Sequence, residues 1–436
     1  MEEKNIKKTL IIQSLFWVAV EAFLLCVLEF IGLNIVHRSL KTIILLFLIV
    51  FGSIVVHLYY GIKKPNYVKK DILALNSNQN RSCKYDYLRV IAASFVIITH
   101  VVQSDTSQGY ITEQNGLFTY RVIYVLTLSC NLIYVMLSGA LLLPYKEESL
   151  FDFYTKRVSK VGIPLVIYYI FYLWQSNQLT NITFDNIKDF GLRLLEGRTG
   201  ECPHYWLIYT ILSIYIVIPF FRYMFKNMSY KLLCALTGII ILFMSLTTFF
   251  EIRFAISTFL SSWIGVAIVG YWATREETRK YDGIIIIVGL LAIGVAVYLI
   301  KTNDRFLNLI CNCSPIMTMI SVGIFASVFK FKKIFDKGNW IVRILSKYSY
   351  AIILVHWWTL YRITIGRYGI RAYMYDGLGV IFSYLITLFI SFCIAFLIDN
   401  LVIVVFDYIF NLIAKWVKKF FVMVTGKQKQ EKATNT

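Results

Sequence analysis

The sequence predicts an all-α, polytopic integral membrane protein with about twelve transmembrane helices. Two observations carry this prediction. Hydrophobic residues make up 58% of the 436-residue chain and charged residues only 16%, a balance outside the range of ordinary soluble domains. The apolar runs are also close to 20 residues long, which is the length that a helix needs to cross a ~30 Å hydrocarbon core. They do not show the alternating decapeptides of a membrane barrel.

Twelve apolar runs can be counted in chain order. They span about residues 10–32, 42–62, 85–104, 118–143, 161–176, 204–222, 232–250, 255–273, 283–300, 314–331, 347–364 and 377–399. The polar, basic connection 62–84 is the predicted boundary between a two-helix N-terminal addition (1–84) and a ten-helix core (85–400). Residues 401–436 are predicted to form an amphipathic basic segment on the membrane surface, followed by a disordered tail.

The basic residues of the connections predict the direction of each helix. Every second connection is rich in Lys and Arg, as in 330–347, whereas 105–117 has none. Because positive residues stay on the cytoplasmic side, both termini are predicted to be cytoplasmic in a multi-pass protein of the cell membrane. Two predicted outward connections depart from this pattern: the one after the first run carries Arg38 and Lys41, and the one after the eleventh run carries Arg367 and Arg371. The net charge of +19 is explained mainly by these loops, so nucleic acid is not an expected partner.

One predicted span carries ionisable residues on a single face. Asp86, Arg89 and His100 lie in YDYLRVIAASFVIITHVVQ, and spacings of three and eleven residues return to nearly the same face of a helix. Arg89 and His100 are expected ~16 Å apart along the axis, with Arg89 near the cytoplasm and His100 in the outer half of the membrane. Ionisable groups inside a span are costly and usually face a bundle interior or a wet cavity. The plainer alternative is an ion pair near a helix end plus one buried histidine.

A basic patch precedes the fifth run on the predicted cytoplasmic side. It consists of Lys156, Arg157 and Lys160, followed by Pro164 within the first turns of the span. Ordinary cytoplasmic loop charge would explain these residues. The alternative is a clamp for an anionic cofactor, because Lys and Arg are the usual counter-charges of phosphates.

Two later runs carry histidines beside tryptophan. His204 and Trp206 open the sixth run at its outer face, as an interfacial belt or as the lining of an outward acceptor pocket. His356 lies about nine residues into the eleventh run, where a buried structural histidine is the alternative to a functional one. The sequence has no phosphate-binding glycine loop and no zinc-binding HExxH pair, so coupling to ATP and metalloprotease chemistry lose support. No metal is expected.

Taken in order, these segments resemble the acyltransferase 3 family of multi-pass membrane acyltransferases. The charged face of the third run is similar to the family's Asp-x-x-Arg helix with a following histidine. Arg157 and Lys160 resemble the basic pair ahead of a proline, although the family often has arginine at the second position. HYWLIYTILSIYIVIPFF resembles a segment of members that acetylate surface polysaccharides, and SYAIILVHWW resembles a Ser-Tyr-x-Ile-Tyr-Leu-x-His segment. The likeness covers about residues 85–400.

The resemblance implies an O-acyltransferase, and an O-acetyltransferase in the subgroup that it resembles. The donor would be a cytosolic acyl-CoA, usually acetyl-CoA, and the acceptor a hydroxyl of a cell-surface or lipid-linked carbohydrate. The lipid bilayer is the remaining expected partner. Two other functions stay open: a polysaccharide exporter or flippase on the same scaffold, and a membrane sensor or anchor that uses the N-terminal helices.

The resemblance also implies a role for each singled-out residue. His100 would be the general base on the acceptor hydroxyl or a transient acyl carrier, and Asp86 would hold Arg89 or orient it toward the cofactor. The residues implied to bind the CoA phosphates are Lys156, Arg157 and Lys160. The residues implied to face the acceptor are His204, Trp206 and His356.

Overall fold

The computed structural model describes most of the chain, and every element in the part it describes is helical. The described residues are 14–15, 17–26, 29, 40–64, 66–75, 82–180, 183–250, 261–302, 307, 310–311 and 313–434. The first predicted run, 10–32, is therefore only partly described. Residues 251–260, which include the predicted beginning of the eighth run, lie outside the described residues.

The main helices are numbered here in chain order. They are α1 (Leu40–Lys63), α2 (Cys83–Ser107), α3 (Leu117–Leu128), α4 (Cys130–Leu142), α5 (Leu150–Arg157), α6 (Ile163–Gln175), α7 (Phe184–Glu196), α8 (Trp206–Phe225), α9 (Tyr230–Phe249), α10 (Trp263–Ala273), α11 (Asp282–Thr302), α12 (Pro315–Lys330), α13 (Trp340–Trp358), α14 (Leu378–Leu397) and α15 (Val404–Thr434). Wider π-helical turns adjoin several of them. These turns are Val68–Ile72, Val158–Gly162, Thr359–Ile365 and Ile398–Ile403.

Within the described residues, six helical stretches are long and apolar enough to cross a membrane. They are Cys83–Ser107, Leu117–Leu142, Pro203–Phe225, Tyr230–Phe249, Asp282–Thr302 and Tyr375–Met423. Shorter apolar helices add to them. These are Trp17–Cys26, Phe47–Lys63, Trp263–Ala273 and Pro315–Lys330. The all-helical, multi-pass prediction is confirmed by these stretches, whereas the number of twelve spans stays a prediction.

Local chemistry explains where several helices begin. In each of these starts, a side-chain oxygen accepts a hydrogen bond from a backbone N–H two or three residues later, which is the usual action of a helix N-cap. The capping residues are Ser149, Thr183, Ser229, Ser314 and Asn339. Two helices also have proline in their first turn, where its missing N–H costs nothing. They are α6 and α12.

Three segments differ in detail from the sequence reading. The run 118–143 is built from α3 and α4, which meet at Ser129. The connection 177–203, which lies between the predicted fifth and sixth runs, contains α7. The helix α15 extends to Thr434, where a disordered tail is predicted. Hydropathy detects the length of an apolar run, but it detects neither a break between two consecutive helices nor a short amphipathic helix in a polar connection.

The chain divides into two compact units, and the larger consists of Leu73–Glu147 and Asn181–Phe392. In this unit α2 packs against α3, α4 and α13, and α4 crosses α10. The crossing is close because glycines lie on both sides. A Cβ atom added to Gly139 would lie 1.8 Å from the carbonyl oxygen of Ala267, and one added to Gly270 would lie 2.3 Å from that of Met136. Small residues that allow backbones to approach are typical of helix packing in membranes.

We expect Gly139→Ala to destabilise the larger unit by about 1–3 kcal/mol, the usual cost of overpacking, because the new methyl group meets backbone. Gly294 in α11 is a matched control, since nothing lies within 4 Å of a Cβ atom placed there. Gly294→Ala should leave stability unchanged or raise it by up to about 1 kcal/mol. Thermal unfolding of both variants in detergent measures the difference, and equal melting temperatures would contradict the close crossing.

The smaller unit consists of Met1–Ile72, Glu148–Thr180 and Cys393–Thr436. Its pieces are joined by specific contacts. The ring of Trp17 stacks on that of Phe396 with centroids 5.6 Å apart, and Nε2 of His57 lies 2.9 Å from the carbonyl oxygen of Asn400. Most of the predicted N-terminal segment, up to Ile72, and the predicted segment 401–436 therefore share a unit with part of the predicted core, whereas residues 73–84 belong to the larger unit.

Candidate active site

Three of the five histidines of the chain lie together in the larger unit. The rings of His100 and His356 are stacked, with centroids 5.2 Å apart and planes at 27°. The ring of His204 meets that of His356 edge-on, with centroids 4.9 Å apart. These residues come from α2, from the turn before α8 and from α13. The structure thus brings together the three histidines that the sequence analysis assigned to separate segments.

The hydrogen bonds of the cluster define its tautomers. Nδ1 of His356 lies 2.7 Å from the carbonyl oxygen of Ile353, and Nε2 of His204 lies 3.2 Å from that of Leu354. Because a carbonyl oxygen only accepts, each of these nitrogens carries the proton and donates it. The opposite nitrogen of the neutral ring then keeps its lone pair. Nδ1 of His100 lies 3.1 Å from Oε1 of Gln103, so the same assignment places the lone pair of His100 on Nε2 when the amide oxygen faces the ring.

Trp357 joins the histidines, although the sequence analysis did not single it out. Its ring centroid lies 5.0 Å from that of His100, 5.7 Å from that of His204 and 4.5 Å from that of Tyr361. The adjacent pair of tryptophans in SYAIILVHWW was the available signal, but sequence does not say which of the two faces the site. Trp206, which the resemblance implies to face the acceptor, does not contact the histidine rings in this way. Its side chain is exposed, and its ring packs against that of Trp263.

The two charged residues near the start of α2 form an ion pair. Nη1 of Arg89 lies 3.2 Å from Oδ1 of Asp86, which is 1% exposed. The hydroxyl of Ser346 on α13 donates to the same oxygen at 2.6 Å. The hydroxyl of Tyr134 donates to the backbone carbonyl of Arg89 at 3.2 Å. Asp86 therefore orients Arg89 and ties α2 to α13, the helix that carries His356.

A second charged group lies at the other end of α2, five residues beyond His100. Asp105 is fully buried, and its Oδ1 accepts from Nη1 of Arg371 at 3.1 Å while its Oδ2 accepts from the backbone N–H of Ala372 at 2.6 Å. The guanidinium of Arg371 lies over the ring of Tyr110, 4.1 Å from its centroid. This pairing explains why a connection predicted to face outward carries an arginine. Sequence reasoning missed Asp105 because its partner lies 266 residues away.

The predicted cofactor-binding residues lie in the smaller unit, at the end of α5 and in the π-helical turn after it. Lys156 is exposed and pairs with Glu148, whereas the guanidinium of Arg157 lies over the ring of Phe153, 4.9 Å from its centroid. Lys160 is exposed. The neighbouring Asp152 is bound by Lys418 at 2.7 Å. This hydrogen bond holds the pKa of the Asp152 carboxyl below its usual range. The exposed side chains of Lys156 and Lys160 therefore keep positive charge accessible, although Glu148 balances the charge of Lys156.

The histidine cluster can supply a nucleophile and a base. It offers neutral imidazoles with defined lone pairs, which are the usual nucleophiles and bases near neutral pH. The ring of Trp357 packs against His100 and His204, and the ring of Tyr205 packs against His204. Among the described residues, no group of three His, Cys, Asp or Glu side chains is arranged to hold a metal ion.

Comparison with known protein families identifies the family of the chain. The family model named for acyltransferase 3, described as an acyltransferase domain, matches residues 84–400, which include all the residues of the histidine cluster. Neither a curated protein nor a solved structure gives a significant match. Since the family match covers most of the chain and the chain has several membrane-crossing helices, the protein belongs to the acyltransferase 3 family and is a membrane acyltransferase.

Proposed function

We propose that the protein is an O-acetyltransferase that moves an acetyl group from cytosolic acetyl-CoA to a hydroxyl of a cell-surface or lipid-linked carbohydrate. The observation that carries the proposal is the cluster of His100, His204 and His356 in the family-matched region. Its lone pairs suit attack on a thioester and removal of a proton from a hydroxyl, and its aromatic rings suit packing against a sugar.

The proposed orientation places both termini in the cytoplasm of a cell-membrane protein, as the loop charges indicate. Arg89 then lies toward the cytosol, where CoA is available, and His100 lies toward the outside. The distance of ~16 Å between them along α2 is about half of the hydrocarbon core. An acyl group that enters the membrane from the cytosol on the pantetheine arm of CoA would therefore meet, within the membrane, an acceptor that enters from the outside.

The decisive experiment uses membranes that contain the full chain and membranes that lack it. Both are given acetyl-CoA labelled in the acetyl group, and the surface glycans are analysed by mass spectrometry. Label in the glycan only when the protein is present supports the proposal. Glycan export that occurs only when the protein is present, with no acetylation, would instead favour a polysaccharide exporter. Export that is the same with and without the protein, with no transfer, would favour a sensor or anchor.

We expect the double variant Arg157→Gln/Lys160→Gln to raise the KM for acetyl-CoA about tenfold or more while changing kcat little. A charge-assisted hydrogen bond to phosphate is worth about 1.5–3 kcal/mol, and about 1.4 kcal/mol corresponds to a tenfold change in affinity. Lys301→Gln is the control, because Lys301 is an exposed basic residue at the end of α11. A double variant with the wild-type KM would remove this patch from the cofactor site.

A further inference from the structure

One nitrogen of the histidine cluster has no partner although it is completely buried. His356 is 0% exposed, and among the described residues Nε2 of His356 has no hydrogen-bond partner. More than nine in ten buried polar groups in proteins are paired, because leaving one unpaired costs about 1–3 kcal/mol. Such a nitrogen in a reactive cluster indicates that its partner is a substrate group.

The partner of this nitrogen must be a hydrogen-bond donor. Nδ1 of His356 donates to the carbonyl oxygen of Ile353 at 2.7 Å, so Nε2 of the neutral ring carries only a lone pair. A thioester offers no donor at its reacting atoms, whereas the hydroxyl of an acceptor sugar does. The chemistry of Nε2 therefore fits the acceptor and not the reacting carbonyl of the donor.

We propose that His356 is the base that takes the proton of the acceptor hydroxyl, and that His100 is the residue that carries the acyl group. This division rests on the proposed function. It resolves the two roles left open for His100, because the stacked rings of His100 and His356 place a carrier beside a base. His204 is a positioning residue, since it bonds to the carbonyl oxygen of Leu354 and packs edge-on against the ring of His356.

The proposed transfer occurs in two balanced steps. Nε2 of His100 attacks the thioester carbon, so that a C–N bond forms, the C–S bond breaks and CoA leaves as a thiolate. Then Nε2 of His356 removes the proton of the acceptor hydroxyl while its oxygen attacks the acyl carbon. The C–N bond breaks, and its electron pair returns to His100. The proton on His356 passes to water and finally to the CoA thiolate, so the net reaction converts acyl-CoA and an alcohol into an ester and free CoA.

The test measures CoA release and acyl transfer separately in the purified full chain. His356→Gln should transfer acetyl groups to the glycan at least about 100-fold more slowly, the lower range for loss of a positioned base. It should still release about one CoA per protein in a rapid first turnover and retain label that hydroxylamine removes. The added substitution His100→Ala should abolish both the burst and the label.

Thr359→Val serves as the matched control. Thr359 is equally buried and lies three residues beyond His356, and its hydroxyl donates to the carbonyl of Val355 at 3.3 Å. This variant should keep wild-type transfer and CoA release. The proposal is overturned if His356→Gln transfers like wild type, or if it shows neither the burst nor the label. A wild-type protein that never consumes acetyl-CoA would instead refute the proposed function itself.

Discussion

His100→Ala is expected to lower acetyl transfer by at least about 100-fold, because even a positioned acid–base group contributes about 100- to 10,000-fold and the two-step route cannot proceed without its acyl carrier. His100 is the one member of the histidine cluster that lies on the same helix as Asp86 and Arg89, and its ring contacts both His356 and Trp357. The substitution removes the nitrogen proposed to attack the thioester, so CoA release should fall together with transfer. Initial rates with labelled acetyl-CoA measure both quantities.

The control for this variant is Thr106→Val on the same helix. The hydroxyl of Thr106 donates to the backbone carbonyl of Val102 at 3.0 Å, so its removal changes α2 without changing the cluster. Protein level and melting temperature should be the same in both variants, because the ring of His100 is only partly buried. If the His100→Ala variant keeps more than about a tenth of wild-type transfer, His100 is neither the general base nor the acyl carrier.

The sequence predicted the parts of this site that lie on one helix. A spacing of three residues indicated that Asp86 and Arg89 could pair, and the structure contains that pair at 3.2 Å. Helical periodicity is a local property, and it places groups reliably only within one element. The same spacing argument placed His100 on the charged face of α2, and it is His100 that meets the other histidines.

Contacts between distant segments could not be predicted in the same way. His204 and His356 lie more than 100 residues from His100, and only the packing of α2 against α13 brings His100 and His356 together. Trp206 and Trp357 both follow closely on a histidine, yet only Trp357 joins the cluster. Composition cannot separate two such tryptophans, because both an interfacial ring and a site ring are amphipathic.

Helix ends and irregular turns were likewise beyond a hydropathy argument. The run 377–399 was read as ending before a separate surface segment, whereas the helical stretch Tyr375–Met423 continues through the π-helical turn Ile398–Ile403. A π-turn changes the hydrogen-bond pattern from i−4 to i−5 and leaves the apolar content unchanged. Its position therefore depends on packing against neighbouring helices, which a single run does not record.

The largest effect on stability is expected for Asp86→Ala, at about 3 kcal/mol, the lower end of the range for breaking a buried ion pair. The carboxylate is 1% exposed and accepts from both Arg89 and Ser346. Its removal leaves a guanidinium without its counter-charge, and the hydroxyl of Ser346 loses its acceptor. The value lies at the lower end because the side chain of Arg89 is 30% exposed, and water therefore compensates part of the loss. Thermal unfolding of the detergent-solubilised chain measures the difference.

A double-mutant cycle with Arg89→Met separates the ion pair from the other contacts of Asp86. If the two side chains stabilise the fold through each other, the double variant Asp86→Ala/Arg89→Met should be less destabilised than the sum of the single variants. Ser346→Ala should cost only about 1 kcal/mol, the usual value of one hydrogen bond. Strictly additive effects would show that Asp86 and Arg89 act independently. In that case Arg89 would owe its orientation to groups other than Asp86, and Asp86 would contribute to the link with the helix that carries His356 through the hydrogen bond from Ser346.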